Sequence, residues 1–365
     1  MRKALRVVLW VVLGALMVLA LVVGAYVYDN LTYFDRDMSA VWKAGFVEKQ
    51  ATIDGSLITY GEGPARGPAL LLIHGQVVDW KNYAKVLPEL AEHFHVFAVD
   101  CPGHGGSARV PEKYSAAAIG GTLAAFIKEV IGEPVVVSGH SSGGLLTAWL
   151  AANEPGALRG IILEDPPLFT TLLPRALKTW NFVDLATSAH DFLRSGQADF
   201  VAYNATSNRF LSLFGGLQPA MTRHMLAYRV KHPNDPVRLY YMPPLLNEVF
   251  RGLNRYDPRF GEAFYRGTFD EGFDHAQALG RIKLPAVLIH ANWGYDPDGI
   301  LMAAMDDQDA ERARSLLGDV KFVRVDSGHG FHFEKPKEFV RILLDFRKRL
   351  ADDDAAHQRT QRSLR

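Results

Sequence analysis

Short apolar runs recur along the sequence, and their spacing constrains the fold more than any other feature. Stretches with helical spacing separate most of these runs, which is the pattern of strand–helix–strand units. Strands buried on both faces of a parallel sheet read as continuous apolar runs of this kind. We therefore predict an α/β fold with a mostly parallel central sheet flanked by helices. The predicted strands lie at 56–60, 69–73, 95–99, 134–138, 158–163, 285–290 and 320–325.

The alternation of strands and helices stops between residues 166 and 283. This stretch contains only short helical patterns, interrupted by several prolines. An insertion between two strands of an open α/β sheet emerges at the carboxyl edge of the strands, where ligands bind. We expect residues 166–283 to form a helical cap over a core made of residues 50–165 and 284–350.

The first 28 residues have the composition of a membrane anchor. Three positive side chains precede Val7, and the 22 residues 7–28 carry no charge. A helix of this length reaches about 33 Å, enough to cross a bilayer core. The positive residues should remain in the cytoplasm, which places the rest of the chain outside it. The alternative is a secreted protein whose signal peptide is cleaved after the small residues 23–25, although the apolar region of a signal peptide is usually only about 7–15 residues long.

Charge and cysteine content exclude several classes of function. The 40 basic and 40 acidic side chains balance, so the chain lacks the basic surplus of nucleic-acid-binding proteins. The single cysteine, Cys101, excludes an intramolecular disulfide and a metal site built from several cysteines. We expect no metal, no organic cofactor and a small-molecule substrate; the oligomeric state does not follow from these features. Residues 29–49 are expected to form a linker and residues 351–365 a polar tail.

The predicted strand at 134–138 ends in the sequence GHSSG, residues 139–143, which is a G-x-S-x-G motif followed by a helical pattern. In a strand–turn–helix context, small residues around a sharp turn expose the central serine above the sheet. The backbone N–H of the next residue lies near the positive end of the helix, where it can face a developing oxyanion. We therefore predict Ser141 as a nucleophile and Ser142 as an oxyanion donor. The alternative is an unreactive glycine-rich junction.

A serine hydroxyl is a weak nucleophile and needs a base with an orienting acid. His329 directly follows the predicted strand at 320–325 and completes the chain order of serine, acid and histidine. His332 is the rival, which we interpret as a residue that packs or that supports the site from behind, because it leads into the final predicted helix. His329 is the predicted base.

The acid is expected in the loop after the predicted strand at 285–290. Asp296, which precedes a proline, is the first choice, and Asp298 is close behind. Asp165, at the end of the preceding strand, is a competing position. Asp306 and Asp307 come later and are interpreted as residues that begin a helix.

The second oxyanion donor is expected after the predicted strand at 69–73. Gly75 permits a close backbone approach, so the N–H of Gln76 is the predicted donor. A simple turn at the end of the strand is the alternative. The glycine-rich turn at 100–107 is interpreted as structural, since it lacks the G-K-[ST] sequence of a phosphate-binding loop.

Together, these motifs resemble the α/β-hydrolase fold superfamily. The resemblance covers about residues 50–350 and rests on residues 74–76, 100–107, 139–143 and 328–329, and on Asp296 in the acid loop. It implies a serine hydrolase with a helical lid, similar to carboxylesterases and lipases, which uses no cofactor. The acid loop departs from the family pattern, because it reads Ala-Asn-Trp with additional residues where members often have a glycine and a close pair of aspartates.

The resemblance also bears on the reaction. A serine at the position of Ser141 disfavours the haloalkane dehalogenase and epoxide hydrolase branches, which use aspartate there. Cleavage of carboxylic esters through an acyl-enzyme is the expected activity, and an apolar substrate fits the membrane segment and the aromatic side chains at 166–283. Those aromatic side chains are equally compatible with the packing of a small helical cap. Carbon–carbon bond hydrolysis, perhydrolysis, acyl transfer and a non-catalytic binding module remain alternatives.

Overall fold

The computed structural model of the protein describes residues 2–363 and contains one eight-stranded sheet with the strand order β1-β2-β4-β3-β5-β6-β7-β8. The first two strands pair in antiparallel fashion, β2 is antiparallel to β4, and the other neighbours are parallel. The predicted mostly parallel sheet is thereby confirmed. The strands are β1 (Val47–Ile53), β2 (Ser56–Glu62), β3 (Ala69–Ile73), β4 (His95–Val99), β5 (Val135–His140), β6 (Leu158–Glu164), β7 (Ala286–His290) and β8 (Val320–Arg324).

All seven predicted strands are present, and only the edge strand β1 was missed. Its sequence VEKQATI is mostly polar and its side chains are largely exposed, so it has no apolar run to detect.

The α-helices are α1 (Arg2–Lys43), α2 (Leu87–Leu90), α3 (Ala116–Phe126), α4 (Ser142–Asn153), α5 (Thr187–Ser195), α6 (Phe200–Ser207), α7 (Arg209–Ser212), α8 (Gln218–Lys231), α9 (Pro244–Leu253), α10 (Pro258–Arg266), α11 (His275–Arg281), α12 (Asp307–Leu316), α13 (Phe331–Glu334) and α14 (Pro336–Ser363).

The core lies on both faces of the sheet, because successive side chains of a strand point to opposite sides. In β3, Leu71 and Ile73 belong to the apolar layer that includes residues of α3 and α4. Leu70 and Leu72 belong to the opposite layer, which includes residues of α14. All four side chains are fully buried, which explains why β3 reads as a continuous apolar run.

The segment between β6 and β7 contains the helices α5 to α11 and no strand among its residues, as the sequence predicts for 166–283. We call residues 166–283 the cap segment. Backbone hydrogen bonds attach it to the loops of the core: the N–H of Asp257 donates to Gly103, and the N–H of Ala116 donates to Phe269. The cap segment therefore lies over the edge of the sheet at which the functional loops emerge.

The helix α1 runs without a break from the expected anchor to Lys43 of the expected linker, whose last residues, from Val47, belong to β1. Its large apolar side chains from Leu5 to Tyr28 are mostly exposed, whereas Asn30, Tyr33 and Val41 are buried against the rest of the protein. The helix is long and apolar enough to span a membrane, a property that a signal sequence shares. The linker prediction for 29–49 was wrong, because helical spacing places the buried residues on one face that packs against the core.

The expected polar tail at 351–365 is helical in its described part. The helix α14 continues to Ser363, and Arg159 of β6 forms an ion pair with Asp354 in this extension. The sequence here is polar, but it contains mainly residues that are compatible with an exposed helix. Residues 364 and 365 lie outside the described part of the chain.

Candidate active site

Ser141 occupies the sharp turn between β5 and α4. Its backbone has φ 55° and ψ −123°, which is a strained conformation for a residue with a side chain. A Cβ atom on Gly139 would lie 2.1 Å from the carbonyl oxygen of Gly143, and one on Gly143 would lie 2.2 Å from that of Ile73. These glycines are required because neighbouring backbone fills the space that a side chain would need.

His329, in the loop after β8, lies against Asp165, in the loop after β6. The distance between His329 Nδ1 and Asp165 Oδ2 is 2.7 Å. The other oxygen of Asp165 accepts a hydrogen bond from the N–H of Ala291 at 3.2 Å. Asp165 is almost completely buried, so its carboxylate has a fixed position beneath the imidazole.

Asp296, the first choice from the sequence, does not contact His329, which meets the competing candidate Asp165. One carboxylate oxygen of Asp296 accepts the N–H groups of Asp298 and Ile300, and the other lies 3.2 Å from Arg209 of the cap segment. Asp298 is mostly exposed and also pairs with Arg209. These two aspartates shape their own loop and attach it to the cap segment.

The later aspartates have the structural roles expected of residues at the beginning of a helix. Asp306 accepts the N–H of Asp309 at 2.9 Å and caps α12, as predicted. Asp307 is the first residue of that helix and pairs with Arg324 at 2.6 Å. Neither aspartate contacts His329.

The pKa values of His329 and Asp165 reflect their contact. Burial raises the pKa of Asp165, but His290, His329 and the N–H of Ala291 outweigh this effect and hold the pKa at about 2. Desolvation lowers the pKa of His329, but the hydrogen bond and the charge of Asp165 outweigh it and raise the pKa above its ordinary value. The imidazole remains accessible, with 44% of its side chain exposed. At neutral pH Asp165 is therefore an anion that can stabilise an imidazolium.

Ser141 and His329 line one cavity of about 540 Å³ between the sheet and the cap segment. Gln76 and Ser142, whose N–H groups are the predicted oxyanion donors, line the same cavity. Among the described residues these two N–H groups have no hydrogen-bond acceptor. The walls are mainly apolar and come largely from the cap segment: Leu185, Phe210, Leu246, Val249, Phe250, Leu253 and Phe264.

Gly75 brings the loop after β3 against the nucleophile turn. A Cβ atom at this position would lie 2.9 Å from the Cβ of Ser141 and 2.9 Å from Nδ1 of His140. The side chain of Gln76 is held away from the loop backbone by its amide, which donates to the hydroxyl of Tyr256 at 2.7 Å. The backbone of Gln76 therefore lies beside Ser141.

The turn at 100–107 is held together by buried hydrogen bonds. Asp100 accepts the N–H groups of Trp80 and Gly106, each at 2.8 Å, and its backbone carbonyl accepts from the hydroxyl of Ser107 at 2.7 Å. Burial and the charge of Asp79 raise the pKa of Asp100 to about 7. None of these contacts involves Ser141 or His329, which agrees with a structural role for this turn.

A second polar cluster, missed in the sequence, lies directly behind these residues. His140, Glu164 and His332 are buried, and atoms of these side chains that could bind a metal lie within 4.8 Å of one another. However, His332 Nδ1 lies 2.8 Å from Glu164 Oε1, and His332 Nε2 lies 2.9 Å from Asn82 Oδ1. Both ring nitrogens already face hydrogen-bond acceptors, so the contacts describe a hydrogen-bonded cluster and not a metal centre.

Comparison with known proteins identifies the family. The model of the alpha/beta hydrolase family matches residues 70–342. This chain belongs to the alpha/beta hydrolase family. The match spans the sheet from β3 onwards, the cap segment and both loops that carry His329 and Asp165.

Individual relatives of this hydrolase include different kinds of enzyme. It is 31% identical to pimeloyl-[acyl-carrier protein] methyl ester esterase from Nitrosospira multiformis over 161 residues, which are 44% of the hydrolase and 59% of the esterase. It is 26% identical to bifunctional epoxide hydrolase 2 from Rattus norvegicus over 313 residues, which are 77% of the hydrolase and 52% of that protein. The hydrolase thus spans less than two thirds of the length of these relatives.

Solved structures share the fold of this hydrolase at low sequence identity. A membrane phospholipase A, described as a bacterial virulence factor, has a TM-score of 0.59 and 22% identity, covering 93% of the hydrolase and 98% of that chain. The enol-lactonase from Burkholderia xenovorans has a TM-score of 0.54 and 17% identity, covering 82% of the hydrolase and 100% of that chain. These similarities establish the α/β-hydrolase fold for this chain and leave its substrate open.

Proposed function

We propose that the hydrolase cleaves carboxylic esters through an acyl-enzyme on Ser141, with His329 as the general base and Asp165 as the orienting acid. The observation that carries this proposal is the 2.7 Å contact between His329 and Asp165 at a cavity that the strained Ser141 also lines. In a serine hydrolase, such a carboxylate fixes the tautomer of the histidine and stabilises the imidazolium.

The reaction follows from these positions. His329 Nε2 removes the hydroxyl proton of Ser141 while the serine oxygen forms a bond to the ester carbonyl carbon. The N–H groups of Gln76 and Ser142 donate to the resulting oxyanion. The carbon–oxygen bond to the alcohol then breaks, and the alcohol leaves with the proton from His329. Water, activated by His329, hydrolyses the acyl-enzyme and regenerates Ser141.

The walls of the cavity favour an ester with an apolar acyl group. Leucine, valine and phenylalanine side chains of the cap segment form most of its lining, and burying apolar surface contributes about 25 cal/mol per Å². The pimeloyl methyl ester esterase among the relatives also acts on an ester, according to its name. An apolar acyl chain is therefore the substrate feature that the pocket accommodates best.

We further propose that α1 is a retained membrane anchor with its N-terminus in the cytoplasm and the catalytic part outside the cytoplasm. Signal-peptide cleavage after Ala25 would cut a continuous helix only a few residues before the buried Asn30. The exposed apolar half needs a bilayer to cover it, since soluble proteins rarely expose apolar patches of this size. The anchor would hold the enzyme close to lipophilic substrates.

Labelling with a fluorophosphonate probe tests the function directly. The wild-type hydrolase should be labelled and should hydrolyse p-nitrophenyl esters, whereas Ser141→Ala should lose both properties. Absence of labelling in the wild type would favour a non-catalytic binding module. A labelled enzyme that is inactive on esters of every chain length would point to another acyl reaction, and a diketone substrate in the same screen would detect carbon–carbon bond cleavage.

A further inference from the structure

Glu164 connects all three segments that carry the proposed catalytic residues. Its backbone carbonyl accepts the N–H of Ser141 at 3.0 Å, and its own chain continues into Asp165. Its carboxylate oxygen Oε1 accepts the N–H of His332 at 2.8 Å and lies equally close to the ring of His332. The buried carboxylate of Glu164, the last residue of β6, therefore attaches the end of that strand to His332, three residues after His329.

The ring of His332 is held on both sides by buried neighbours. Glu248 forms an ion pair with Arg251 at 2.8 Å, so its carboxylate only accepts hydrogen bonds and the amide NH₂ of Asn82 must face it. The oxygen of Asn82 then faces His332 Nε2, and Glu164 Oε1 faces His332 Nδ1. A continuous series of buried hydrogen bonds therefore joins Glu164 to Glu248.

The hydrogen bonds of His332 continue through Asn82 and Glu248 to α1. The hydroxyl of Tyr33 donates to Glu248 Oε1 at 2.7 Å, and this contact is buried. The ring of Tyr33 also packs edge-to-face against Phe333, which follows His332, with 6.1 Å between the ring centroids. Tyr33 therefore contacts Glu248 through its hydroxyl and Phe333 through its ring.

Glu248 and Arg251 also reach the predicted oxyanion loop. Arg251 donates to both carboxylate oxygens of Asp79, at 2.7 and 2.8 Å, and Asp79 lies three residues after Gln76. All three charged side chains are nearly inaccessible to water. Removing one member of such a buried ion network leaves an unpaired charge, which is strongly unfavourable. The network can therefore transmit a change at Tyr33 to the loop after Gln76 and, through Asn82, to His332.

We propose that Glu164 and His332 are positioning residues of the active site, and that the buried chain through Asn82 and Glu248 makes their alignment depend on Tyr33 of α1. This inference rests on the proposed function, since it assigns the pair a role in aligning Ser141, Asp165 and His329. The position of α1 against Glu248 then sets the alignment of the catalytic residues and thereby the catalytic rate.

Tyr33→Phe tests the link to α1, because it removes only the hydroxyl and keeps the packing against Phe333. In the full-length enzyme in nanodiscs, kcat should fall about two- to thirtyfold with KM unchanged. Tyr26→Phe is the matched control: Tyr26 also lies on α1 and donates to a cap-segment carbonyl, that of Tyr241, but it does not touch Glu248. Its kcat should equal that of the wild type. Equal rates for Tyr33→Phe and Tyr26→Phe, whether both normal or both reduced, would overturn the link.

Glu164→Gln tests the positioning pair, because it keeps the shape and removes the charge. We expect kcat to fall roughly ten- to hundredfold with little change in KM, as for a small misalignment of reacting groups. A variant with normal kcat, or one in which only KM changes, would overturn the positioning role. Melting temperatures of all variants should exceed the assay temperature by a wide margin, so that unfolding does not contribute to the rates.

A measurement without turnover separates this inference from the proposed function. In protein with ¹⁵N-labelled histidines, the His332 signals are identified by their loss in His332→Gln. The backbone N–H of His332, which donates to Glu164, should exchange slowly with solvent in the wild type and faster in Glu164→Gln. Equal exchange rates in the two proteins would overturn the attachment. Failure of the proposed function would instead appear as absent fluorophosphonate labelling with the slow exchange intact.

Discussion

Asp165 Oδ2 lies 2.7 Å from Nδ1 of His329 and joins the loop after β6 to the loop after β8. The proposed acid therefore stands immediately before the cap segment, and the loop that contains Asp296 is free to bind the cap segment through Arg209. This arrangement makes the two aspartates distinguishable by experiment.

Asp165→Asn should lower kcat by about 10⁴-fold, because the amide no longer stabilises the imidazolium and favours the wrong tautomer. Asp296→Asn should leave kcat within a few-fold of the wild type, since it loses only loop contacts and an ion pair with a partly exposed arginine. Ester turnover of both purified variants is the measurement. A larger defect in Asp296→Asn than in Asp165→Asn would reverse the assignment.

The pH profile depends on the raised pKa of His329. The base must be neutral, so kcat/KM should rise with pH through an acidic limb above the ordinary histidine value of about 6.5. Asp165→Asn removes the charge that raises this pKa. The rise of kcat/KM with pH should therefore occur at lower pH in this variant than in the wild type. An unshifted limb in that variant would contradict the assignment of Asp165.

The same contact has a defined effect on stability. The pKa of His329 is raised in the folded protein. Its contribution to the free energy of unfolding is therefore fully present below the pKa of an unfolded histidine, and it is lost as the pH rises through the pKa of the folded state. The pKa of Asp165 is lowered to about 2, so its contribution is present above the unfolded aspartate value and is lost as the pH falls towards 2. Thermal unfolding of wild type and Asp165→Asn should differ most between these limits.

The size of the pocket should determine chain-length preference. Val249→Trp adds bulk to the wall of the cavity of about 540 Å³ and should reduce activity on long acyl chains more than on acetate or butyrate esters. The ratio of kcat/KM for p-nitrophenyl decanoate and butyrate measures this change. Unchanged fluorophosphonate labelling would show that the catalytic groups remain in place, and an unchanged ratio would place the acyl group elsewhere.

The glycines at the nucleophile turn should not tolerate alanine. Gly143→Ala places a Cβ atom 2.2 Å from a backbone oxygen, and it should reduce the free energy of unfolding by at least about 1–3 kcal/mol. Gly121→Ala is the matched control, because it lies within α3 with nothing within 4 Å, and it should be neutral or stabilising. Denaturant unfolding of the two variants tests this contrast, which would fail if Gly143→Ala were as stable as the wild type.

Retention of α1 has a simple readout. The intact mass of the protein purified from membranes should include residues 1–25, and the protein should stay in the membrane fraction after an alkaline carbonate wash. A mature chain beginning near Tyr26, together with release into the soluble fraction, would show that the segment is a signal peptide.

Much of the fold followed from local patterns in the sequence. Central strands such as β3 are apolar throughout and β2 begins with alternating apolar and polar residues, so seven strands were visible, whereas the polar edge strand β1 was not. The linker prediction for 29–49 failed for a related reason, since the alternation of charged and aromatic residues there conceals a helix with a single buried face.

The sequence by itself determined the sharp turn at Ser141, because small residues flanking a serine between a strand and a helix are required by local backbone geometry. It also placed the predicted base at the end of the last strand. Only the tertiary structure decided which aspartate meets His329 and revealed that Glu164, His332 and Tyr33 belong to one buried chain. Loops after different strands converge at one edge of the sheet, and their distances depend on the twist and order of the strands, which no local pattern records.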